Sequence, residues 1–139
     1  MEMLINFPGG LKVNATFGSH TVYTDQPGAN GSTGSAPTPF ATFLASVGTC
    51  AGVYVLGFCK QRGISTEGIQ IIQRMESNPF TGMIDRINLE IQVPAEFPEK
   101  YKEALVRVAG QCAVKKLFEN PPDFNIYTNE MELVTAQEG

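Results

Sequence analysis

The sequence holds one histidine, His20, and three cysteines, none of them at a CxxC spacing. A single histidine excludes a His-rich metal site, and no pair of ligands stands at zinc spacing. An odd cysteine count without repeated spacing argues against a secreted disulfide scaffold. It fits a reducing, cytoplasmic setting in which thiols stay free. Basic runs are missing too, and the formal charge is −4. Such a chain is a poor partner for nucleic acid or for an anionic membrane surface. The glycine-rich stretch GANGSTG at 28–34 lacks the GxxxxGK-Ser/Thr pattern of a phosphate loop, and no motif calls for a cofactor. No basic segment followed by an apolar run opens the chain, so no signal peptide is expected.

Charge is absent altogether from Gln26 to Cys59. Within that stretch Phe40 to Cys59 is long enough to cross a bilayer. Gly48, Gly52, Gly57, Thr42, Thr49 and Ser46 lower its hydropathy, however, and the rest of the chain reads as globular. A wholly buried central helix is the expectation, with no membrane partner. At 139 residues the chain is long enough for one domain, 1–139, with a real hydrophobic core.

What is present reads as an α+β domain. Leu11, Val13, Ala15 and Phe17 alternate with polar residues between the turn signals Pro8-Gly9-Gly10 and Gly18-Ser19, and 20–25 is the returning strand of a β-meander. Residues 26–39, QPGANGSTGSAPTP, form a loop that is either functional or a connector. Pro39 opens the central helix and Gly63 ends it, just after Lys60 and Arg62. A hairpin of 67–77 and 82–93 follows, with Ile87, Leu89, Ile91 and Val93 on one face of its second arm. Pro98 starts an amphipathic helix with Tyr101, Leu105 and Val108 inward, and a short helix runs from about Cys112 to Glu119. A last strand is expected at Phe124–Thr128 or Met131–Val134.

The three thiols differ in setting. Nine residues of helix put Cys50 and Cys59 on nearly opposite faces. Cys50 shares a stripe with Phe43, Val47, Tyr54 and Gly57, and lies between Gly48 and Gly52, where another backbone could approach. Cys59 reads as packing. Cys112 stands at a helix N-terminus with Lys115 and Lys116 one turn on, so local physics marks it as the more activated thiol, while a lone Cys50 in an apolar helix is commonly inert core. A Cys–His pair with His20 has no local motif behind it.

PTPFATFLASVGTCAGVYVLGFCKQRGI, residues 37–64, resembles the central helix of the OsmC/Ohr family, and GQCAVKKLFENPPDF, residues 110–124, resembles that family's second cysteine segment. The order of elements agrees over nearly the full chain. The resemblance implies an intertwined homodimer, with the β-meander and hairpin wrapped around central helices and the sites at the subunit interface. The small face of the helix, with Gly48 and Gly52, fits such packing. The resemblance also implies reduction of organic hydroperoxides. Cys50 would become a sulfenic acid, Cys112 would resolve it to a disulfide, and a dithiol reductant would regenerate both.

Two departures from the family pattern bear on this. Phe40 stands where peroxidase members have a glutamate, and no arginine precedes Arg62. The activating charges are absent or come from elsewhere, for example Arg86, Arg107 or a partner subunit. A thiolate without a nearby cation in an apolar site has a raised pKa and reacts slowly. Phe40 trades charge for apolar wall, and with Phe43 and Tyr54 it is expected to contact the substrate. This leaves two further readings: a non-catalytic protein that binds a small apolar ligand on the same dimer, and a Cys50 nucleophile for another electrophile with His20 or Asp25 nearby.

Overall fold

The computed structural model describes residues 1–28 and 31–131. Strands β1 (Leu4–Gly9), β2 (Lys12–Phe17) and β3 (His20–Thr24) form an antiparallel meander in that order. After the loop come helix α1 (Pro39–Gln61), the hairpin β4 (Gln70–Ser77) and β5 (Ile84–Gln92), a 3-10 turn at Glu99–Tyr101, α2 (Lys102–Ala109) and α3 (Ala113–Glu119).

Local chemistry fixes the ends of α1. Thr38 caps it by accepting the Ala41 N–H at 3.1 Å, and Pro39 fills the first helical position, where no donor is needed. At the other end Gly63 adopts φ +66, which lets Ile64 N–H reach the Cys59 carbonyl and Gly63 N–H that of Lys60. This pair of bonds satisfies carbonyls the helix would leave open.

One face of α1 carries the core. Ala51, Val55, Phe58 and Cys59 pack with Phe97 and with Leu105 and Ala109 of α2, backed by Ile71, Leu89 and Ile91 of the hairpin. The register Ile71↔Ile91, Gln73↔Leu89 and Met75↔Ile87 puts the alternating residues of both strands on one side. The glycines of α1 lie against β4 of the same chain. A Cβ on Gly48 would meet the Gln73 side chain at 2.5 Å, and one on Gly52 would meet Ile71 at 3.9 Å. At the small face where another backbone was expected to approach, these glycines make room for side chains of the same chain's hairpin, and Gln73 Nε2 donates to the Leu44 carbonyl at 2.9 Å.

The helix is not wholly buried. Val53, Tyr54 and Leu56 are exposed on the far side, although α1 is long and apolar enough to cross a membrane by length and composition. Among the described residues the meander makes no extensive contact with the helices, and Leu4, Ile5, Phe7 and Tyr23 on it are exposed. Phe124–Thr128 forms no strand: it is exposed and pairs with no strand among the described residues. Of the alternative strand Met131–Val134, residues 132–134 lie outside the described residues.

Candidate functional site

Cys50 sits half-buried on the flank of α1, between the core face and the uncovered face. Its neighbours along that flank are Phe43, two turns earlier, and Tyr54, one turn later. Phe43 stacks with Phe40 at 6.2 Å and meets the ring of Phe118 on α3 at 5.4 Å. Phe40 and Phe43 line a cleft of about 470 Å³ with Met83, Arg86 and Phe118. Tyr54 lines a separate cleft of about 450 Å³ with Arg62, Val108 and Gln111. The three residues expected to contact substrate are thus divided between two clefts, with Cys50 on the stretch of helix between them.

Cys112 lies at the junction of α2 and α3, where it is the N-cap of α3. Its Sγ accepts the Lys115 backbone N–H at 3.4 Å, and the residue is only 1% exposed. The Lys115 ammonium does not turn to the thiol. It donates to the Gly110 carbonyl at 3.2 Å and pairs with Glu119 at 3.4 Å. The thiol forms part of the wall of a cavity of about 540 Å³ between β5, α2 and α3, with Ile87, Leu89, Ile91, Val106 and Phe118, which α1 enters through Val47.

The fold therefore brings the Cys50 flank of α1 beside the segment that carries Cys112. Phe118, at the far end of α3, packs on Phe43, and Gln111, next to Cys112, shares the cleft of Tyr54. The two thiols do not share a cavity: Cys112 faces inward, and Cys50 lines neither cleft nor the cavity under α3.

Cys59 is fully buried, and burial pushes its thiol pKa up, against the opposing charge of Arg62. Asp25 is buried and its carboxylate is occupied by the loop: it accepts Ser35 N–H at 3.0 Å, Gln26 N–H at 2.8 Å and the hydroxyls of Ser32, Thr33 and Ser35. It organises residues 32–35, and both its oxygens are taken up by that loop. Its signal in the sequence is an acid at a strand end followed by a run of Ser and Thr. His20 is exposed on the meander, 5.8 Å from the Phe17 ring. Arg86 pairs with Glu76 at 3.7 Å beside the Phe40 cleft, and Arg107 is exposed on α2. Arg62, read in the sequence only as a charge at the helix end, lies with its guanidinium 3.6 Å over the Phe58 ring in the Tyr54 cleft. The i, i+4 spacing of Phe58 and Arg62 on one helix is the pattern that could have found it.

The model of the family described as OsmC-like protein matches residues 32–127, which include α1 and both cysteine segments. The chain belongs to the OsmC-like family. Two solved structures share its fold. One, described as an osmotic stress induced and detoxification response protein from Psychrobacter arcticus 273-4, is 18% identical with a TM-score of 0.67, over 82% of this chain and 85% of that one. The other, an OsmC like protein from Mycoplasma pneumoniae, is 16% identical with a TM-score of 0.57, over 87% of this chain and 89% of that one. No curated protein sequence matches. In this OsmC-like chain α1 is the helix on which the core is built.

Proposed function

We propose that this OsmC-like protein is a thiol-dependent peroxidase acting on organic hydroperoxides, with Cys50 as the attacking thiol and Cys112 as the resolving one. The observation that carries the reading is the placement of the Cys50 flank of α1 against the α2–α3 junction, through Phe43–Phe118 at one end and the Tyr54–Gln111 cleft at the other. Cys50 is the partly exposed thiol of the three, open to a solute, while Cys112 is buried and protected.

In the first step the Cys50 sulfur attacks the terminal peroxide oxygen. The O–O bond breaks, the alcohol leaves with a proton, and Cys50 becomes a sulfenic acid. Cys112 then attacks that sulfur, and the sulfenic oxygen departs as water with the Cys112 proton. A dithiol donor reduces the disulfide in turn. No cation touches Cys50 among the described residues, so slow attack is expected, with Arg86 and Arg62 as the positive charges on either side along α1.

We place the site in a homodimer. The uncovered face of α1, the exposed apolar residues of the meander and those of the segment after α3 (Phe124, Ile126, Tyr127) are surface that a second copy would cover. A role in the response to oxidants in the cytoplasm is consistent with three free thiols.

A second reading is favoured by the 540 Å³ cavity, whose walls are largely aliphatic. Under it the protein binds a small apolar ligand without turnover. Consumption of tert-butyl hydroperoxide with dithiothreitol as reductant separates the two. Turnover lost in Cys50→Ser supports the peroxidase, and equal rates in both proteins contradict it.

A further inference from the structure

Helix α3 is held by very little. None of its seven residues is fully buried, and Leu117 and Phe118 are 53% and 51% exposed. So short a helix does not persist on its own backbone hydrogen bonds. It relies on Phe118 against Phe43, on the Lys115 ammonium at the Gly110 carbonyl, and on Cys112 at its start. Cys112 supplies the bond that a serine or aspartate supplies at most helix starts. The same short helix closes one side of the 540 Å³ cavity, to which it contributes Lys115, Phe118 and Glu119.

We infer that α3 is a redox-controlled lid on this cavity, fastened while Cys112 is a thiol and released when its sulfur is drawn to Cys50. The inference rests on the resolving role of Cys112 proposed above. As the Cys112 sulfur forms its bond to Cys50 and water leaves, the sulfur must turn out of its buried position and away from the Lys115 N–H. The first turn of α3 then loses its side-chain acceptor, and no buried residue of the helix replaces that hold. The aliphatic walls Leu89 and Ile91, partly buried while α3 is in place, gain exposure beside Val106, which is exposed already. Reduction returns the sulfur to the cap and closes the lid. A dithiol reductant would thus meet more apolar surface on the oxidised form that it must reduce.

Hydrogen exchange of residues 113–119 in the full chain tests this, in reduced wild type, Cys112→Ser, Cys112→Ala and diamide-oxidised wild type. The serine variant keeps the cap and should exchange like the reduced protein. The alanine variant should exchange about fivefold faster, the effect of a lost N-cap. The oxidised protein should be at least as fast as the alanine variant. Equal exchange in all four overturns the lid. If the Cys50–Cys112 bond forms and α3 stays protected, the resolving role stands and the lid is overturned. If diamide yields no such bond while Cys112→Ala still loosens α3, the resolving role fails and redox control fails with it.

Discussion

The ring of Phe118 on α3 lies 5.4 Å from that of Phe43 on α1, tilted by 45°. Through this pair the short helix that begins at Cys112 is pinned to the flank of the helix that carries Cys50. Phe118 and Phe43 are about half exposed, so the pair adds little to overall stability; it governs position.

Phe118→Ala should therefore slow formation of the Cys50–Cys112 disulfide about threefold to tenfold, the worth of an aromatic pair. Formation of sulfenic acid at Cys50 should keep its rate. Rapid-quench trapping with dimedone, alongside disulfide quantification, follows the two steps. An equal loss in both would mean that the pair shapes the surroundings of Cys50 instead.

Cys59 should be chemically silent. It is fully buried and its thiol pKa is raised by burial, so iodoacetamide should label Cys50 in the native protein and reach Cys59 only after unfolding. Cys59→Ser should destabilise by about 1–3 kcal/mol, since a buried hydroxyl without a partner replaces a thiol that behaves as an apolar group. Peptide mapping after timed labelling checks the first expectation, and urea midpoints check the second.

The two glycines of α1 that face β4 should respond differently to alanine. At Gly52 the new Cβ meets Ile71 at ordinary contact distance, so Gly52→Ala should stabilise by about 0.5–1 kcal/mol through helix propensity. At Gly48 the Cβ displaces Gln73, and loss of its bond to the Leu44 carbonyl offsets that gain, leaving a change near zero. Parallel urea titrations of the two variants report the difference.

These positions also show what the sequence could convey. The alternation Ile87, Leu89, Ile91 set the core face of β5, and Pro39 and Gly63 set the bounds of α1, because strand period and helix caps are local rules. The cap at Cys112 was legible for the same reason. What packs on a small helix face is not local: Gly48 and Gly52 lie against Gln73 and Ile71 of β4, some twenty residues away in sequence. The sparse contact of the meander with the helices, and the absence of a strand at Phe124–Thr128, depend on which elements find partners. Asp25 was overlooked as an organiser because its partners span a loop whose composition resembles a connector.

Asp25 gives a pH prediction. The Ser35 and Gln26 N–H groups, followed by the hydroxyls of Ser35 and Thr33, hold its carboxyl well below the usual range, against the effect of burial. A folded-state pKa below the unfolded value means stability present in full above about pH 4 and lost as pH falls through the folded value. The Ser35 amide resonance should therefore stay unchanged through pH 4 and move only in stronger acid. Asp25→Asn should loosen residues 32–35 already at neutral pH. A midpoint for Ser35 near pH 4, the ordinary carboxylate value, would contradict the arrangement.

The pairing of Cys50 with Cys112 is the central claim. Fully reduced protein should be mixed with one equivalent of tert-butyl hydroperoxide and digested without reductant, and its cross-linked peptides identified by mass spectrometry. A disulfide joining the Cys50 peptide to that of Cys112, absent from Cys50→Ser, is the expected result. Persistence of both thiols, or oxidation confined to Cys59, would contradict it and leave ligand binding as the function of the fold.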